Sequence, residues 1–239
     1  KAWGKYAHFV VWDDQKLNAR RAKMALQHLK QKSDTDVLDI GCGKPDFLLQ
    51  LTKTGNIRSM GIDFTSAQWE DPKYKNLTLL EGDWRNIELH KKFDLITAWH
   101  YLEHDYQLNQ TIEKCKQLLK PNGILIIEVP MYQGIIQKIQ KNYWQGWHSP
   151  RHISLFSFKS WKMIFSENDW EIVKHRKYGT MSAFTLWWLG YQQKKNINWS
   201  LSMESHFWNL VFWKVLLMPL FLLEQIIPMG IQTIVLKKK

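Results

Sequence analysis

Short apolar runs alternate with amphipathic stretches along residues 35–130. The run Val37-Leu38-Asp39-Ile40 is interrupted by a single acidic residue, which is typical of a parallel strand covered on both faces. Further strand-like runs occupy residues 57–62, 77–80, 93–98 and 124–129. Because strands that alternate with helical stretches form parallel sheets with crossover helices, the pattern predicts an α/β fold.

The chain outside this region carries other patterns. Residues 1–34 start with aromatic side chains and continue as an amphipathic helix that reaches Lys30 and ends at Ser33 and Asp34, which predicts an N-terminal helical cap. Residues 131–156 show no clear periodicity. A helix over residues 159–168 is expected behind an N-cap at Ser157, followed by strands at residues 171–175 and 231–236.

Residues 179–230 lie between the last two predicted strands and are too many for an unstructured loop, so we predict a hydrophobic helical insertion. Residues 206–227 are apolar nearly all round, and such a helix is either buried or in contact with lipid. A lysine near the middle of a membrane span costs roughly 2.5–3.5 kcal/mol. Lys214, Pro219 and the required return to the sheet therefore argue against a span.

Two interpretations of the insertion remain open: a core or dimer helix, and a helix that lies in a membrane interface. Tryptophan is enriched at membrane interfaces, and basic side chains are attracted to anionic lipid. Both features favour peripheral membrane association, with a homodimer as the alternative. The side chains concerned are Trp187, Trp188, Trp199, Trp208, Trp213, Lys194, Lys195 and the terminal Lys237-Lys238-Lys239.

Composition limits the partners and the compartment. The net charge is +11 with more lysine than arginine, but no arginine-rich stripe or recognition module is visible, so nucleic acid is not expected as a partner. The two cysteines, Cys42 and Cys115, form no metal or redox motif, and no secretory signal is visible. The expected location is the cytoplasm, with peripheral attachment to the inner face of the membrane as a variant; the start at Lys1 leaves a removed leader open.

The first strand ends in a glycine turn. Gly41 and Gly43 permit a tight turn in which the backbone approaches a ligand closely. A second strand-like run ends in Asp63, where a carboxylate can accept both hydroxyls of a ribose. A dinucleotide fingerprint or a phosphate loop is not present, because the final glycine and the GK[ST] sequence are missing.

Together these motifs resemble the class I S-adenosylmethionine-dependent methyltransferases. The resemblance also includes the acidic turn at Asp83-Trp84, the segment Leu102-Glu103-His104, and the turn and fifth strand at residues 118–130. It implies a Rossmann-like, mostly parallel sheet of seven strands with an antiparallel last strand. One departure is Pro45, which replaces a glycine of the family's turn but is acceptable in the first turn of a helix.

The resemblance implies a cofactor site and four segments. S-adenosyl-L-methionine is the expected cofactor and S-adenosyl-L-homocysteine its product. The domain that binds the cofactor is expected at residues 35–178. It is preceded by the cap at residues 1–34 and followed by the insertion at residues 179–230 and by the last strand and basic tail at residues 231–239. The adenine faces Asp83 and either Phe64 or Trp84, for which packing is the alternative. In the cap, Trp3, Tyr6 and Trp12 either line the cofactor pocket or pack, and packing is favoured. The implied cofactor-binding residues are Asp39, Gly41, Cys42, Gly43, Asp63, Phe64, Asp83, Trp84 and Trp99.

Two histidine groups follow strands four and five, where the acceptor is expected. His104 comes after the fourth strand, and His148, Arg151 and His152 belong to a segment similar to the "W…PRH…FS" run of one branch of the family, which includes ubiquinone-biosynthesis-type enzymes. A histidine serves as a general base when the acceptor is a hydroxyl, and Arg151 can pair with an acidic substrate group. His100 and His104 lie on one helix face, but a third metal ligand is not evident, so no metal is expected.

These residues predict an enzyme that methylates a small, apolar or lipid-like acceptor, most readily on oxygen. The alternatives are a soluble sugar or amine acceptor, and a non-catalytic protein that binds the cofactor. Bracing of the loop, rather than catalysis, is the alternative role for Arg151 and His152.

Overall fold

Within the described parts of the chain, seven strands form a single sheet in the order β3-β2-β1-β4-β5-β7-β6. The computed structural model describes residues 3–29, 34–198 and 202–239. Strand β7 pairs antiparallel with β5 and β6, and β1 to β5 pair in parallel. The predicted α/β sheet with an antiparallel last strand is confirmed. The strands are β1 (Thr35–Ile40), β2 (Ile57–Asp63), β3 (Thr78–Glu81), β4 (Phe93–Trp99), β5 (Leu119–Pro130), β6 (Trp170–Arg176) and β7 (Ile231–Lys238).

Seven α-helices are present among the described residues, and two of them differ from the sequence pattern. The unpatterned stretch after Pro130 contains α4, and α5 is shorter than the predicted helix over residues 159–168. A capping box between Ser157 and Ser160 starts α5, and the extended backbone of Phe165 ends it. The helices are α1 (Ala7–His28), α2 (Asp46–Thr52), α3 (Leu108–Leu118), α4 (Ile135–Gln140), α5 (Phe158–Ile164), α6 (Ala183–Lys194) and α7 (Phe207–Leu222).

The core lies on both faces of the sheet. All six residues of β1 are buried, as the continuous apolar run predicts. Leu38 and Ile40 pack toward α3 and α5, whereas Val37 packs toward α1 and α2. Pro45 caps α2 at its N-terminus, so the chain enters this helix without the family's third glycine.

The N-terminal helix and the insertion pack together. Trp3 lies 6.0 Å from Trp188, and Tyr6 stacks on Phe207 at 3.9 Å between ring centroids. These two aromatic residues of the cap therefore pack against the insertion, whereas Trp12 is 53% exposed. The first part of the cap consists of α1; Lys30 and Ser33 lie outside the described residues.

Helix α7 exposes most of its apolar side chains. Met203–Gln225 forms one continuous helical segment long and apolar enough to cross a membrane, and only 11% of its apolar window is buried. The tryptophans of the insertion do not all share this exposure, because Trp188 is buried and Trp187 contacts Trp213; Trp199 lies outside the described residues. The exposed apolar side chains of the segment are Trp208, Phe212, Val215, Leu216, Met218, Leu220, Leu222 and Leu223.

Candidate active site

The glycine turn lies at the carboxyl edge of the sheet. Gly41 and Gly43 have φ angles of 67° and 47°, which a side chain would disfavour. The amide nitrogens of Gly41 and Cys42 donate to the carbonyl of Ile62 at 2.8 and 3.1 Å, which fastens the turn to β2. An added Cβ at Gly41 would clash with Tyr101, but at Gly43 it would meet open space. The open side of the turn is therefore at Gly43.

Asp63 lies beside this open position. Its Oδ2 accepts a hydrogen bond from the Gly43 amide at 2.8 Å, and its Oδ1 accepts a longer one of 3.3 Å from Thr65. Each carboxylate oxygen can accept a further donor. The next side chain, Phe64, is 56% exposed. The structure therefore places a carboxylate, an aromatic face and a glycine turn side by side at one edge.

Asp39 has a different environment. Its side chain is buried, and Oδ1 accepts a 2.6 Å hydrogen bond from the Thr97 hydroxyl of β4. Burial raises the pKa of Asp39 to about 7, against the opposing effect of this hydrogen bond. The carboxyl group thus links β1 to β4 beneath the glycine turn, and its predicted contact with the methionine portion of a cofactor stays a prediction.

Of the other residues predicted to bind the cofactor, some lie at the edge of the sheet and others are buried in the core. Asp83 accepts two hydrogen bonds from the Arg85 guanidinium, at 2.9 and 2.7 Å. Trp84 is 2% exposed and packs in the core, so its alternative role, packing, is the one that the structure supports. Trp99 is also buried, with Phe47 against its edge and the Arg21 guanidinium over its ring. Of the aromatic residues considered for the adenine, Phe64 is the exposed one.

His104, His148 and His152, which we call the histidine trio, come together in space. The ring centroids of His104 and His152 are 4.6 Å apart, and those of His148 and His152 are 5.1 Å apart. The amide nitrogens of Ile153 and Ser154 donate to the carbonyl of Glu103 and hold the two segments together. Two histidine groups that are separate in the sequence therefore form one cluster.

The tautomers of His104 and His152 follow from the backbone carbonyls that each ring contacts. Nδ1 of His104 lies 3.0 Å from the Arg151 carbonyl, and Nδ1 of His152 lies 2.8 Å from the Gly146 carbonyl. A carbonyl oxygen only accepts, so each Nδ1 carries the proton, and in the neutral ring Nε2 is an acceptor. Burial lowers the pKa of His152, and burial and Arg151 lower that of His148, which keeps both rings neutral at pH 7. Such rings can accept a proton.

Glu103 brings a carboxylate to this cluster. One ligand atom each of Glu103, His104 and His152 lies within 4.8 Å of the others. Glu103 is buried, and among the described residues its Oε2 has no hydrogen-bond partner. These three residues are the set that could hold a divalent cation. The pairing of His100 with His104 on one helix face is wrong, because His100 precedes the short helix Leu102–His104 with a φ angle of 54° and does not belong to this set. Sequence spacing could not include His152, which comes from a distant segment. The expected absence of a metal stays a prediction.

Sequence reasoning missed a buried ionic cluster built around His100. Nδ1 of His100 lies 3.2 Å from Glu103, and Nε2 lies 3.4 Å from Glu128. Although burial opposes it, these carboxylates raise the pKa of His100 to about 9. Burial likewise opposes the effect of His100 and Arg21, which lower the pKa of Glu128 to about 2. A glutamate within the apolar run of β5 was the available sequence signal.

Arg151 and its neighbours line a cavity of about 650 Å³. Trp147, His148 and Leu189 of α6 also line it. Arg151 is exposed to solvent. The cavity therefore places a cation and an aromatic side chain beside His148, one member of the histidine trio.

Comparison with protein families assigns the fold. The family model described as "Methyltransferase domain" matches residues 10–175. Among solved structures, a Haloferax volcanii protein in complex with the Trm112 methyltransferase activator aligns with a TM-score of 0.62 at 15% identity, over 99% of this chain and 96% of that one. Mycolic acid cyclopropane synthase CmaA1 aligns with a TM-score of 0.61 at 14% identity, over 91% and 83%. These structures share the fold.

Curated relatives match less than half of this chain. Ubiquinone biosynthesis O-methyltransferase of Histophilus somni is 33% identical over 121 residues, which cover 46% of this chain and 50% of the relative. Demethylmenaquinone methyltransferase of Staphylococcus saprophyticus is 28% identical over 114 residues, or 44% and 48%. The chain thus spans about half the length of the curated relatives it matches.

Proposed function

We propose that this chain, which belongs to the methyltransferase domain family, transfers a methyl group to a hydroxyl of a small apolar or lipid-like acceptor. The family assignment confirms the predicted class and its cofactor, S-adenosylmethionine, with S-adenosylhomocysteine as the product. The position of the cofactor is part of the proposal: Gly43 and Asp63 face its methionine and ribose portions, and Phe64 and Asp83 its adenine. The open space at Gly43 and the lone pairs left on Asp63 support this position.

The observation that carries the proposal is the histidine trio. Methyl transfer is an in-line displacement in which the acceptor oxygen forms a bond to the methyl carbon while the carbon–sulfur bond breaks. The hydroxyl proton must leave, and a positioned base adds about 10²–10⁴-fold to such a step. His152 is the best base, because its Nδ1 proton is fixed by Gly146 and its Nε2 can accept. His104 and His148 are its immediate neighbours.

Oxygen as the acceptor atom also agrees with the names of the relatives. Two curated relatives are named ubiquinone biosynthesis O-methyltransferases, from Histophilus somni and Pasteurella multocida. Because the reduced form of a quinone is a dihydroxybenzene, such a compound is a suitable probe of the reaction. Arg151 would pair with an acidic group of the acceptor from the wall of the neighbouring cavity.

The base is tested by substitution and pH. His152→Ala should lower kcat for a dihydroxybenzene about 10²–10⁴-fold, leave cofactor affinity unchanged, and recover part of the rate with added imidazole. Because burial lowers the pKa of His152 below 6.5, the wild-type rate should be constant at neutral pH and fall only in more acidic solution. A matched control is His90→Ala, which removes an exposed histidine. Full activity in a variant that lacks all three histidines would refute the base assignment.

Peripheral membrane association is the second part of the proposal. Lys214 of α7 pairs with Asp13 of α1, and Tyr6 stacks on Phe207, so α7 lies against α1. Strand β7 then returns to the sheet between β5 and β6. A span would break these contacts, whereas a helix lying in the lipid interface keeps them and covers its exposed apolar side chains. The chain would thus act at the inner face of a membrane.

A further inference from the structure

The loop between β2 and β3 contributes a tryptophan to the glycine turn. This β2–β3 loop covers residues 64–77 and follows Asp63 directly. Trp69 lies in it and is half-buried, and its indole Nε1 donates a 2.8 Å hydrogen bond to the Gly43 carbonyl. The Trp69 amide donates to the Ser66 carbonyl at 2.9 Å, so the indole is presented from a closed turn. Trp69 is not among the residues that the sequence predicts for the cofactor site.

The two peptide groups on either side of Gly43 are both held by side chains. The Gly43 amide donates to Asp63 at 2.8 Å, and the Gly43 carbonyl accepts from Trp69 at the same distance. Gly43 has a φ angle of 47°, in a region where glycine is conformationally free and other residues are rare. Hydrogen bonds at both ends restrict this freedom, so the turn keeps one shape before a ligand arrives. Such preorganisation lowers the entropic cost of binding.

Trp69 leaves the ligand side of Gly43 free. A Cβ built on Gly43 would meet no atom within 4 Å, so the indole ring does not lie on that side of the turn. A carbonyl oxygen has two lone pairs, and the indole N–H uses one of those on the Gly43 oxygen. The other lone pair can accept a donor from the cofactor. Trp69 and a ligand can therefore contact the same turn without competing.

Further contacts fasten the β2–β3 loop to the helix that follows the glycine turn. Asp46 is the first residue of α2, and its carboxylate accepts a 2.7 Å hydrogen bond from the Tyr74 hydroxyl. Lys73 pairs with the same carboxylate at 3.0 Å, and Lys44 pairs with it at 2.8 Å. Tyr74 is itself only 2% exposed. Trp69 therefore belongs to a loop that is anchored to α2 as well as to the turn.

We propose that Trp69 is a positioning residue for S-adenosylmethionine, which holds the Gly43 carbonyl so that the open side of the turn keeps its shape for the cofactor. The inference rests on the proposed function, which places the cofactor at Gly43 and Asp63 but assigns no residue to the carbonyl side of the turn. Trp69 acts through Gly43 and does not touch the reacting atoms. Its loss should therefore weaken cofactor binding and leave the methyl-transfer step unchanged.

The first test is Trp69→Phe, which removes the N–H donor and keeps an aromatic ring. Loss of one neutral hydrogen bond changes an equilibrium constant about 2- to 10-fold, so the dissociation constant of S-adenosylhomocysteine should rise by this factor. Calorimetry separates this effect from misfolding, because unfolded protein lowers the number of binding sites and not the affinity of each site. Gln68→Ala, which removes an exposed side chain from the same loop, is the matched control and should bind like wild type.

Kinetics and spectroscopy report on the contact itself. With a dihydroxybenzene as acceptor, Trp69→Phe should raise the KM for S-adenosylmethionine and leave kcat at saturating cofactor within about twofold of wild type. The indole ¹⁵N–¹H signal of Trp69 is identified by its absence from the spectrum of Trp69→Phe. In wild type this signal should move when S-adenosylhomocysteine is added. The indole signal of Trp170 should not move, because Trp170 lies on β6, at the opposite edge of the sheet from β2 and β3.

Three results would overturn the role of Trp69. They are a wild-type dissociation constant in Trp69→Phe, an equal loss of affinity in Gln68→Ala, and an indole signal of Trp69 that does not respond to S-adenosylhomocysteine. A fall in kcat with an unchanged KM would also overturn it, because the residue would then act on the chemical step. If wild type binds no cofactor, the proposed function fails together with the inference; if wild type binds and only Trp69→Phe behaves like it, the proposed function stands and the inference alone fails.

Discussion

Asp63 combines two tasks in one carboxylate. Its Oδ2 holds the glycine turn through the Gly43 amide, while Oδ1 has only a long hydrogen bond from Thr65. The proposed ribose contact would use the remaining lone pairs of the same group. A single substitution should therefore affect both the shape of the turn and the affinity for the cofactor.

Replacing Asp63 by alanine should weaken S-adenosylmethionine binding about 10- to 100-fold, since hydrogen bonds to a charged group contribute about 1.5–3 kcal/mol. Asp63→Asn keeps an acceptor for the Gly43 amide and should lose less. Calorimetry with the cofactor and with S-adenosylhomocysteine measures both effects. Glu70→Ala, which removes an exposed carboxylate from the following loop, is the control; unchanged affinity in Asp63→Ala would contradict the site.

For single residues, the sequence predicts where a side chain lies along the fold better than whether it is buried or exposed. The strand, glycine turn and acidic residue place Asp63 beside Gly43 because these relations are local to two adjacent strands. Trp84 and Phe64 each follow an acidic residue after a strand, yet Trp84 is buried and Phe64 is exposed. That difference depends on how α3 covers the sheet, as the contact of Lys114 with Trp84 shows, and no short motif contains it.

Among the elements, the turn after β4 joins several parts of the molecule. His100 has a φ angle of 54°, and its amide donates to the carbonyl of Glu128 at 2.7 Å. Its side chain connects the short helix Leu102–His104 to β5, and Arg21 of α1 reaches the same Glu128. Three elements thus meet at one buried ionic cluster.

This cluster should make stability depend on pH in a defined way. The pKa of His100 rises from 6.5 to about 9 on folding, so its contribution is complete below pH 6.5 and is lost toward pH 9. The pKa of Glu128 falls from 4.5 to about 2, so its contribution is complete above pH 4.5 and is lost toward pH 2. The stabilising effect of the pair is therefore greatest between pH 4.5 and 6.5.

His100→Gln should lower the free energy of unfolding by about 1.5–3 kcal/mol near pH 5.5, because it removes a charged partner of the buried Glu128. Glu128 keeps its contact with Arg21 and the hydrogen bonds from Thr180 and Thr233. The difference from wild type should shrink as the pH approaches 9. Urea unfolding at several pH values measures it, and His90→Gln, an exposed control, should change stability by less than about 0.5 kcal/mol. A difference that does not vary with pH would show that His100 is not charged in the folded protein.

Helices and strands could be predicted where the pattern of apolar residues is long and regular. The buried strands were found because their apolar runs are continuous, and the insertion because of its length. Helix α4 was missed: it has only six residues, too few to show a helical period. The end of α5 at Ile164 depends on the turn around Ser166, whose carbonyl accepts the amides of Asp169 and Trp170.

At the scale of the whole molecule, the helical insertion gives the protein one strongly apolar side. Helix α7 contributes Trp208 and Phe212, and α1 contributes Phe9 and Trp12, all between 49% and 66% exposed. Many exposed apolar side chains on two neighbouring helices indicate an interface with another molecule or with lipid. The net charge of +11 favours an anionic surface as the partner.

The membrane proposal predicts co-sedimentation with vesicles of phosphatidylcholine and phosphatidylglycerol at low salt, with weaker binding as salt screens the basic residues. Phe212→Glu or Leu216→Glu should lower the affinity about 10- to 100-fold each, since burying such a side chain contributes roughly 1.5–3 kcal/mol. Met163→Glu, which alters a side chain 78% exposed on α5, is the matched control and should bind like wild type. A protein that stays in the supernatant at low salt, and whose α7 face is covered by a second copy, would favour the dimer alternative. A water-soluble acceptor such as a sugar would then be the better expectation, because no lipid phase would deliver an apolar one.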